Sequence, residues 1–170
     1  MTLEQPLMGR RITIRSYRRE DLDFCTGMWF DPENGKYMSD PEAAFVDERF
    51  QRELDGLQDA KDGYYLIAEE QGERIGTCCA FPDEAGKVWD IGYCVRKDLW
   101  RQGFGREIVE TLSDWIRERG GTAITAEVAR ENAASCGLLE RCGFRVKEES
   151  VFQKYHMDVR FDAFIFEKKL

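Results

Sequence analysis

The residues best suited to chemistry cluster around Gly103 and Gly105, in the stretch Val95–Arg106 (VRKDLWRQGFGR). A strand pattern ends at Val95 and a strong amphipathic helix pattern starts at the glycines. A strand that turns through glycines into a helix leaves main-chain N–H groups unpaired at the helix N-terminus. Those donors, with the positive end of the helix dipole, can hold a phosphate. Gly103 and Gly105 let the backbone approach closely, because no Cβ intervenes. Arg101 and Arg106 add charge beside the turn, and each reads equally well as a solvated side chain. The spacing excludes two nucleotide-binding loops, since there is no G-K-[ST] and no G-x-G-x-x-G. The six cysteines (25, 78, 79, 94, 136 and 142) form no C-x-x-C pair, and His156 is the single histidine, which is poor material for a metal site. Free thiols in a reducing cytoplasm are the simpler reading.

The elements that position this turn follow from periodicity. Arg11–Arg15 alternates as a first strand. Leu22, Cys25, Met28 and Trp29 recur at helical spacing, so a short helix ends near Phe30. Asp31–Pro41 (DPENGKYMSDP) is loop-like. A second helical segment begins at Pro41, carries Phe45, Phe50 and Leu54, and fades near Gly63. Tyr64–Glu69, Arg74–Phe81 and Val88–Val95 form an antiparallel meander. The helix from about Gly103 to Arg119 carries Phe104, Ile108, Val109, Leu112, Trp115 and Ile116 on one stripe. Ala123–Val128 is the next strand, which completes a βαβ unit with a right-handed crossover. Asn132 caps a helix through Cys142 that stops at Gly143. Phe144–Ser150 and Val159–Glu167 pair around a turn at Tyr155–Asp158. The expected fold is α/β, a mixed sheet of about seven strands with helices on both faces.

Residues 1–170 are expected to form a single domain, long enough to bury a core. No apolar run approaches the ~20 residues of a membrane span, and the start MTLEQPLMGRR has no apolar leader, so a cytoplasmic protein without membrane association is expected. The net charge of −8 argues against non-specific nucleic-acid binding and favours a cationic partner. Monomer and homodimer both remain open.

The ordered fragments of the second half resemble the GNAT superfamily of N-acetyltransferases, and within it the branch that acetylates ribosomal-protein N-termini. Asp90-Ile91-Gly92-Tyr93 resembles the E-I-G-Y of a central strand. Trp100-Arg101-Gln102-Gly103-Phe104-Gly105-Arg106-Glu107 resembles the branch's W-G-K-G-Y-A-T-E. Asn132-Ala133-Ala134-Ser135 resembles N-x-x-S, and Leu139-Glu140-Arg141-Cys142-Gly143-Phe144 resembles L-E-K-x-G-F. Arg15 with Asp21, and Ile75-Gly76, match weaker upstream motifs. Two positions depart from the wider family: Trp100 replaces the usual Gln or Arg, and Leu139 stands where many members carry a tyrosine near the coenzyme thiol.

The resemblance implies a splayed central pair of parallel strands and direct transfer of an acetyl group from acetyl-CoA to a primary amine, a protein N-terminus or a small-molecule amine, with no metal. Arg101, Gln102, Gly103, Phe104, Gly105 and Arg106 would hold the pyrophosphate. Cys94 and Val95 would pair with the pantetheine arm through their main chain, and Asn132 would hydrogen-bond it. Transfer needs a neutral amine. A lysine-like amine of pKa ~10.4 loses its proton at pH 7 at a cost of about 4.6 kcal/mol, and an α-amine of pKa ~7.8 at about 1 kcal/mol. Strand alternation sets Asp90, Gly92 and Cys94 on one face, which makes Asp90 the candidate base, directly or through water; a structural Asp is the equal alternative. Ser135 would hydrogen-bond the leaving thiolate. The acceptor site would be lined by Trp29, Asp31, Tyr37 and Phe45 on one side and by Tyr155, His156 and Asp158 on the other. A protein of the same fold that has lost catalysis, and that senses acyl-CoA or binds a partner, is the alternative function.

Overall fold

The computed structural model describes residues 1–170. An eight-stranded sheet runs in the order β1-β2-β3-β4-β5-β6-β8-β7. The strands are β1 (Leu7–Met8), β2 (Ile12–Ser16), β3 (Tyr64–Glu70), β4 (Glu73–Pro82), β5 (Val88–Val95), β6 (Ala123–Ala129), β7 (Arg145–Gln153) and β8 (Arg160–Lys169). The helices are α1 (Leu22–Trp29), α2 (Glu48–Gly56), α3 (Phe104–Glu118) and α4 (Ala133–Arg141). Every neighbouring pair is antiparallel except β5 with β6.

The strand beyond the expected number is β1. Its two residues form a one-turn return onto β2, too short to show alternation, and Met8 stays exposed. The helical segment from Pro41 is broken rather than continuous. Ala43–Phe45 is a single 3-10 turn, Asp47 is extended, and α2 starts where the Asp47 side chain accepts the Phe50 N–H. A helix cap inside the segment outweighs the spacing of its apolar residues. Phe45 is left exposed by the break.

Alternation divides the sheet into two faces. Ile12, Ile14, Leu66, Cys78, Ala80, Trp89 and Ile91 pack on the stripe of α3, with Leu139 of α4 and Phe144 beyond it. Ile67 faces the other way and packs with Tyr17 and Cys25, against Trp29 and Tyr65. Asp90, Gly92 and Cys94 share this second face, since Cys94 opposes Thr77 and Gly92 opposes Cys79, which in turn opposes Tyr65.

The parting of β5 from β6 decides the architecture of the site. Parallel pairing runs through Val88↔Ala123, Trp89↔Ile124 and Asp90↔Thr125 and stops there. Yet β4 holds β5 as far as Val95, and β8 holds β6 as far as Ala129. The two strands therefore open like a V whose apex is Asp90.

Candidate active site

Two rows of main-chain groups turn into the V. The Arg96 N–H donates to Ile75 of β4 at 2.9 Å, so by alternation Cys94 also directs its main chain to β4, whereas Tyr93 and Val95 direct theirs into the gap. On the far side Arg130 donates to Asp162 at 2.9 Å, which leaves the main chain of Glu127 and Ala129 facing the gap, although the Ala129 carbonyl already accepts the Asn132 N–H at 2.9 Å. Strand groups without a ladder partner need water or a ligand. The expectation that Cys94 offers its main chain here is corrected by that register; Tyr93 holds the position instead. The Val95 carbonyl is already taken, by Trp100 Nε1 at 2.8 Å and Asn34 Nδ2 at 3.2 Å, so Val95 has only its N–H to give.

The glycine turn lies at the mouth of the V. Gly103 is the residue before α3 and has φ of 88°, and Arg101 is also left-handed at φ of 62°. The main-chain N–H groups of Arg101 through Arg106 donate to no protein acceptor; the first helical bond there comes from Glu107, to the Gly103 carbonyl. Such a concave run of amides at a helix start is an anion cradle. Gly105 is confined: a Cβ on it would sit 3.0 Å from Leu138 Cδ1. Phe104 is buried in the core with the Arg11 guanidinium over its ring at 4.3 Å, and Glu107 receives the Arg11 Nε at 2.9 Å, which together anchor the turn. Arg106 pairs with Glu110 at 2.7 Å, and Gln102 donates from its side chain to the Asp98 carbonyl at 3.3 Å.

At the apex, Thr125 Oγ1 donates to Asp90 Oδ1 at 2.8 Å. Solvent reaches Asp90, but the surrounding protein pushes its pKa above the usual carboxylate value; the Thr125 bond opposes this and Glu127 adds to it. Asp90 thus remains reachable and is a better base than a free aspartate. Across the V, Asn132 caps α4 by accepting the Ser135 N–H at 3.1 Å, and its amide nitrogen has no protein partner. The Ser135 hydroxyl meets the Tyr93 hydroxyl at 2.7 Å. Burial pushes Tyr93 up to about 12, the Ser135 bond acting the other way. Tyr93 sits on the α3 face of β5, opposite to Asp90.

The acceptor-side residues divide. Trp29 Nε1 donates to Thr77 Oγ1 at 3.0 Å, which pins α1 to β4. Asp31 accepts from the N–H groups of Glu33 and Asn34 and from Lys97 Nζ, so its carboxylate is spent on shaping the loop. Tyr37 meets Phe161 edge-on at 5.7 Å. Tyr155 stacks on His156 and packs against Phe50, and both Tyr155 and His156 reach Asp47, at 3.4 and 3.2 Å. The loop of residues 31–41 crosses the V on the Asp90 face. Asn34 fastens one end, donating to Cys94 Sγ at 3.0 Å and accepting from Lys97 N–H at 2.7 Å. Lys154 and Tyr155 fasten the other, through Lys154 Nζ to Asp40 O at 3.0 Å and Tyr155 N–H to Ser39 O at 2.8 Å, and Lys154 Nζ also reaches back to Gly35 O at 2.8 Å. Asn34, Tyr93, Thr125 and Lys154 escape a reading of the chain alone. Only Tyr93 carries a signal there, a phenol in a strand next to the glycine turn.

The comparisons with known proteins agree on the family and on the fold that carries this V. The family model described as Acetyltransferase (GNAT) domain matches residues 11–145. The chain belongs to the GNAT acetyltransferase family. It is 30% identical over 160 residues to the uncharacterized N-acetyltransferase p20 of Bacillus licheniformis, covering 89% of this chain and 87% of that protein. It is 38% identical over 115 residues to the ribosomal protein bS18-alanine N-acetyltransferase of Escherichia coli (strain K12), covering 58% and 74%. In fold it is similar to spermidine N-acetyltransferase from Vibrio cholerae, a structure in complex with CoA and spermine, with a TM-score of 0.77 and 19% identity over 94% of this chain and 95% of that one. The GNAT chain is an N-acetyltransferase with the resemblance to the ribosomal-protein branch that its motifs carry. No helix is long and apolar enough to cross a membrane, and no cluster of metal-binding side chains forms.

Proposed function

We propose that this GNAT protein transfers an acetyl group from acetyl-CoA to a primary amine in a single direct step. The observation that carries the reading is the opening of β5 from β6 immediately after Asp90, with unpaired main-chain groups on both walls and free amides at residues 101–106. A diphosphate fits the cradle, and an arm bearing amides fits between the walls as a replacement strand. Bound there, the coenzyme would supply an activated acetyl thioester. The residues that would hold it are Arg101, Gln102, Gly103, Phe104, Gly105 and Arg106 through their N–H groups, Tyr93 and Val95 through the strand edge, and Asn132 through its free amide nitrogen.

In this reading Asp90 takes the proton that the acceptor ammonium must lose, directly or through one water, and Thr125 orients the carboxylate. The Tyr93–Ser135 hydroxyl pair faces the thiolate that leaves. Burial raises the Tyr93 phenol, so it holds its proton and serves as a hydrogen-bond donor. The pair therefore stabilises the thiolate by hydrogen bonding, and the proton comes from solvent. This fills the role left open by Leu139. The chain would act as a single domain in the cytoplasm.

The test is thiol release from acetyl-CoA across a panel of primary amines and N-terminal peptides, with Asp90→Ala as the control. Turnover on one acceptor class, lost in Asp90→Ala while coenzyme A still binds by calorimetry, supports the reading. Coenzyme binding without turnover on any amine would instead identify a sensor.

A further inference from the structure

We infer that Arg11 is a positioning residue for the coenzyme: it fixes the peptide between Gln102 and Gly103 so that the Gly103 N–H faces the diphosphate. This rests on the acetyl-CoA reading and goes further by giving a task to a residue far outside the glycine turn. Arg11 stands immediately before β2, 91 residues from Gln102. Its guanidinium is used on three sides. Nε donates to Glu107 Oε2 at 2.9 Å, Nη2 donates to the Gln102 carbonyl at 3.2 Å, and the plane covers the Phe104 ring at 4.3 Å. Glu107 anchors the arrangement. Its Oε1 accepts the main-chain N–H of Arg11, and that of Ile12 at 3.2 Å. The turn between β1 and β2 closes over this carboxylate, since a Cβ on Gly9 would sit 3.1 Å from Glu107 Oε1. Only 11% of the Glu107 side chain is exposed, so Arg11 is held from β2 and α3 together.

In a planar trans peptide the C=O and the N–H point opposite ways. Arg11 draws the Gln102 carbonyl toward itself, so the Gly103 N–H is aimed to the other side of the turn, where it donates to no protein group. The lock is needed because of Gly103 itself. Rotation of this peptide changes ψ of Gln102 and φ of Gly103, and glycine accepts either sign of φ. The residue that lets the coenzyme come close therefore cannot by itself hold its amide in place. A turn that must be reordered on binding loses affinity to that reordering, and Arg11 removes the loss in advance. Charge is not what Arg11 supplies, because Glu107 neutralises it at 2.9 Å. What it supplies is a rigid fork that reaches a carboxylate and a carbonyl at once, which lysine cannot do.

The experiment uses Arg11→Met, which keeps an unbranched apolar chain over Phe104 and removes both donors. Coenzyme A affinity by calorimetry and KM for acetyl-CoA should each weaken by about tenfold to a hundredfold, the range for a hydrogen bond to a charged group. The kcat at saturating acetyl-CoA should stay close to wild type. With acetyl-pantetheine, which carries the thioester arm without the diphosphate, kcat/KM should match wild type. Arg11→Lys should leave most of the loss in place. The double variant Arg11→Met, Glu107→Gln leaves no enclosed carboxylate unpaired and should show the same loss, which keeps the test valid if the single variant folds poorly. The Gly103 amide resonance should shift on saturation with coenzyme A in the wild type and shift less in Arg11→Met. Unchanged coenzyme affinity, equal loss with both thioesters, full rescue by Arg11→Lys, or a Gly103 shift alike in both proteins overturns the assignment and leaves the acetyltransferase reading standing. A wild type that neither binds coenzyme A nor releases thiol with any acceptor overturns both.

Discussion

At the scale of single residues, the V is governed by two hydrogen-bonded pairs, one on each face of β5. Thr125 on Asp90 stabilises the ionised carboxylate, so removing that bond must raise the carboxylate pKa further. Thr125→Val should therefore move the acidic limb of the kcat/KM profile toward higher pH, because the base is protonated over a wider range. An unmoved limb would mean that Asp90 is not the group titrating. Asp90→Asn should lower kcat by about 10²- to 10⁴-fold for a lysine-like amine, the usual worth of a positioned base, and far less for an α-amine that is partly neutral already. On the other face, Tyr93→Phe removes one hydroxyl from the pair with Ser135. We expect kcat to fall about tenfold with KM for the coenzyme unchanged, the signature of an interaction made only as the thiolate forms. Equal loss in both parameters would make Tyr93 a wall of the cleft and nothing more.

At the scale of elements, the amide cradle depends on two residues in left-handed backbone, and only one of them is glycine. Gly103 has φ of 88° at the residue before α3. Any side chain there is strained by about 1–2 kcal/mol, so Gly103→Ala should relax the turn and turn the amides away from a shared centre. Coenzyme A affinity by calorimetry should fall about tenfold, with kcat at saturation close to wild type. What could be read from the chain divides along the same line. The glycine turn, the stripe of α3, the Asn132 cap and the order of strands β2 to β8 are local patterns, and local patterns are written in neighbouring residues. The loop across the V is different. Asn34, Asp40 and Lys154 are fixed by partners from 60 to 119 residues away in the chain, and no spacing rule announces such contacts. Asp31 and Trp29 show the converse. Both look available in the sequence, and both are consumed by internal hydrogen bonds. Phe45 lies outside the core for a comparable reason, since the Asp47 cap breaks the helix that its spacing suggested.

At the scale of the whole molecule, α1 and the loop that follows it are joined to the sheet by a charge network centred on Asp21. Asp21, at the start of α1, is completely buried; it receives both Arg15 terminal nitrogens at 2.7 and 2.8 Å, the Arg18 N–H at 2.8 Å and Arg74 at 3.3 Å. Arg15 lies on β2 and Arg74 on β4, so one carboxylate ties α1 to two strands, and Glu69 of β3, which holds Arg15 at 2.8 Å, brings in a third. Through α1 and Trp29 this sets the start of the loop of residues 31–41. Burial by itself would raise the Asp21 pKa and is the largest single influence. The hydrogen bonds from Arg15 and Arg18, with the charges of Arg15 and Arg74, outweigh it, and the net shift is downward. A carboxylate whose pKa is lower folded than unfolded contributes stability that is complete above its unfolded pKa of ~3.9 and is lost as pH falls through the folded value. Asp21→Asn leaves Arg15 with Glu69 alone and should cost about 3–5 kcal/mol at pH 7, measured by urea unfolding, as for other buried pairs that lose one partner. The difference between the two proteins should stay constant down to about pH 5 and shrink below pH 4, where the wild type gives up what the variant never had. A gap independent of pH down to acid unfolding would show that Asp21 holds α1 by packing and neutral hydrogen bonds rather than by its charge.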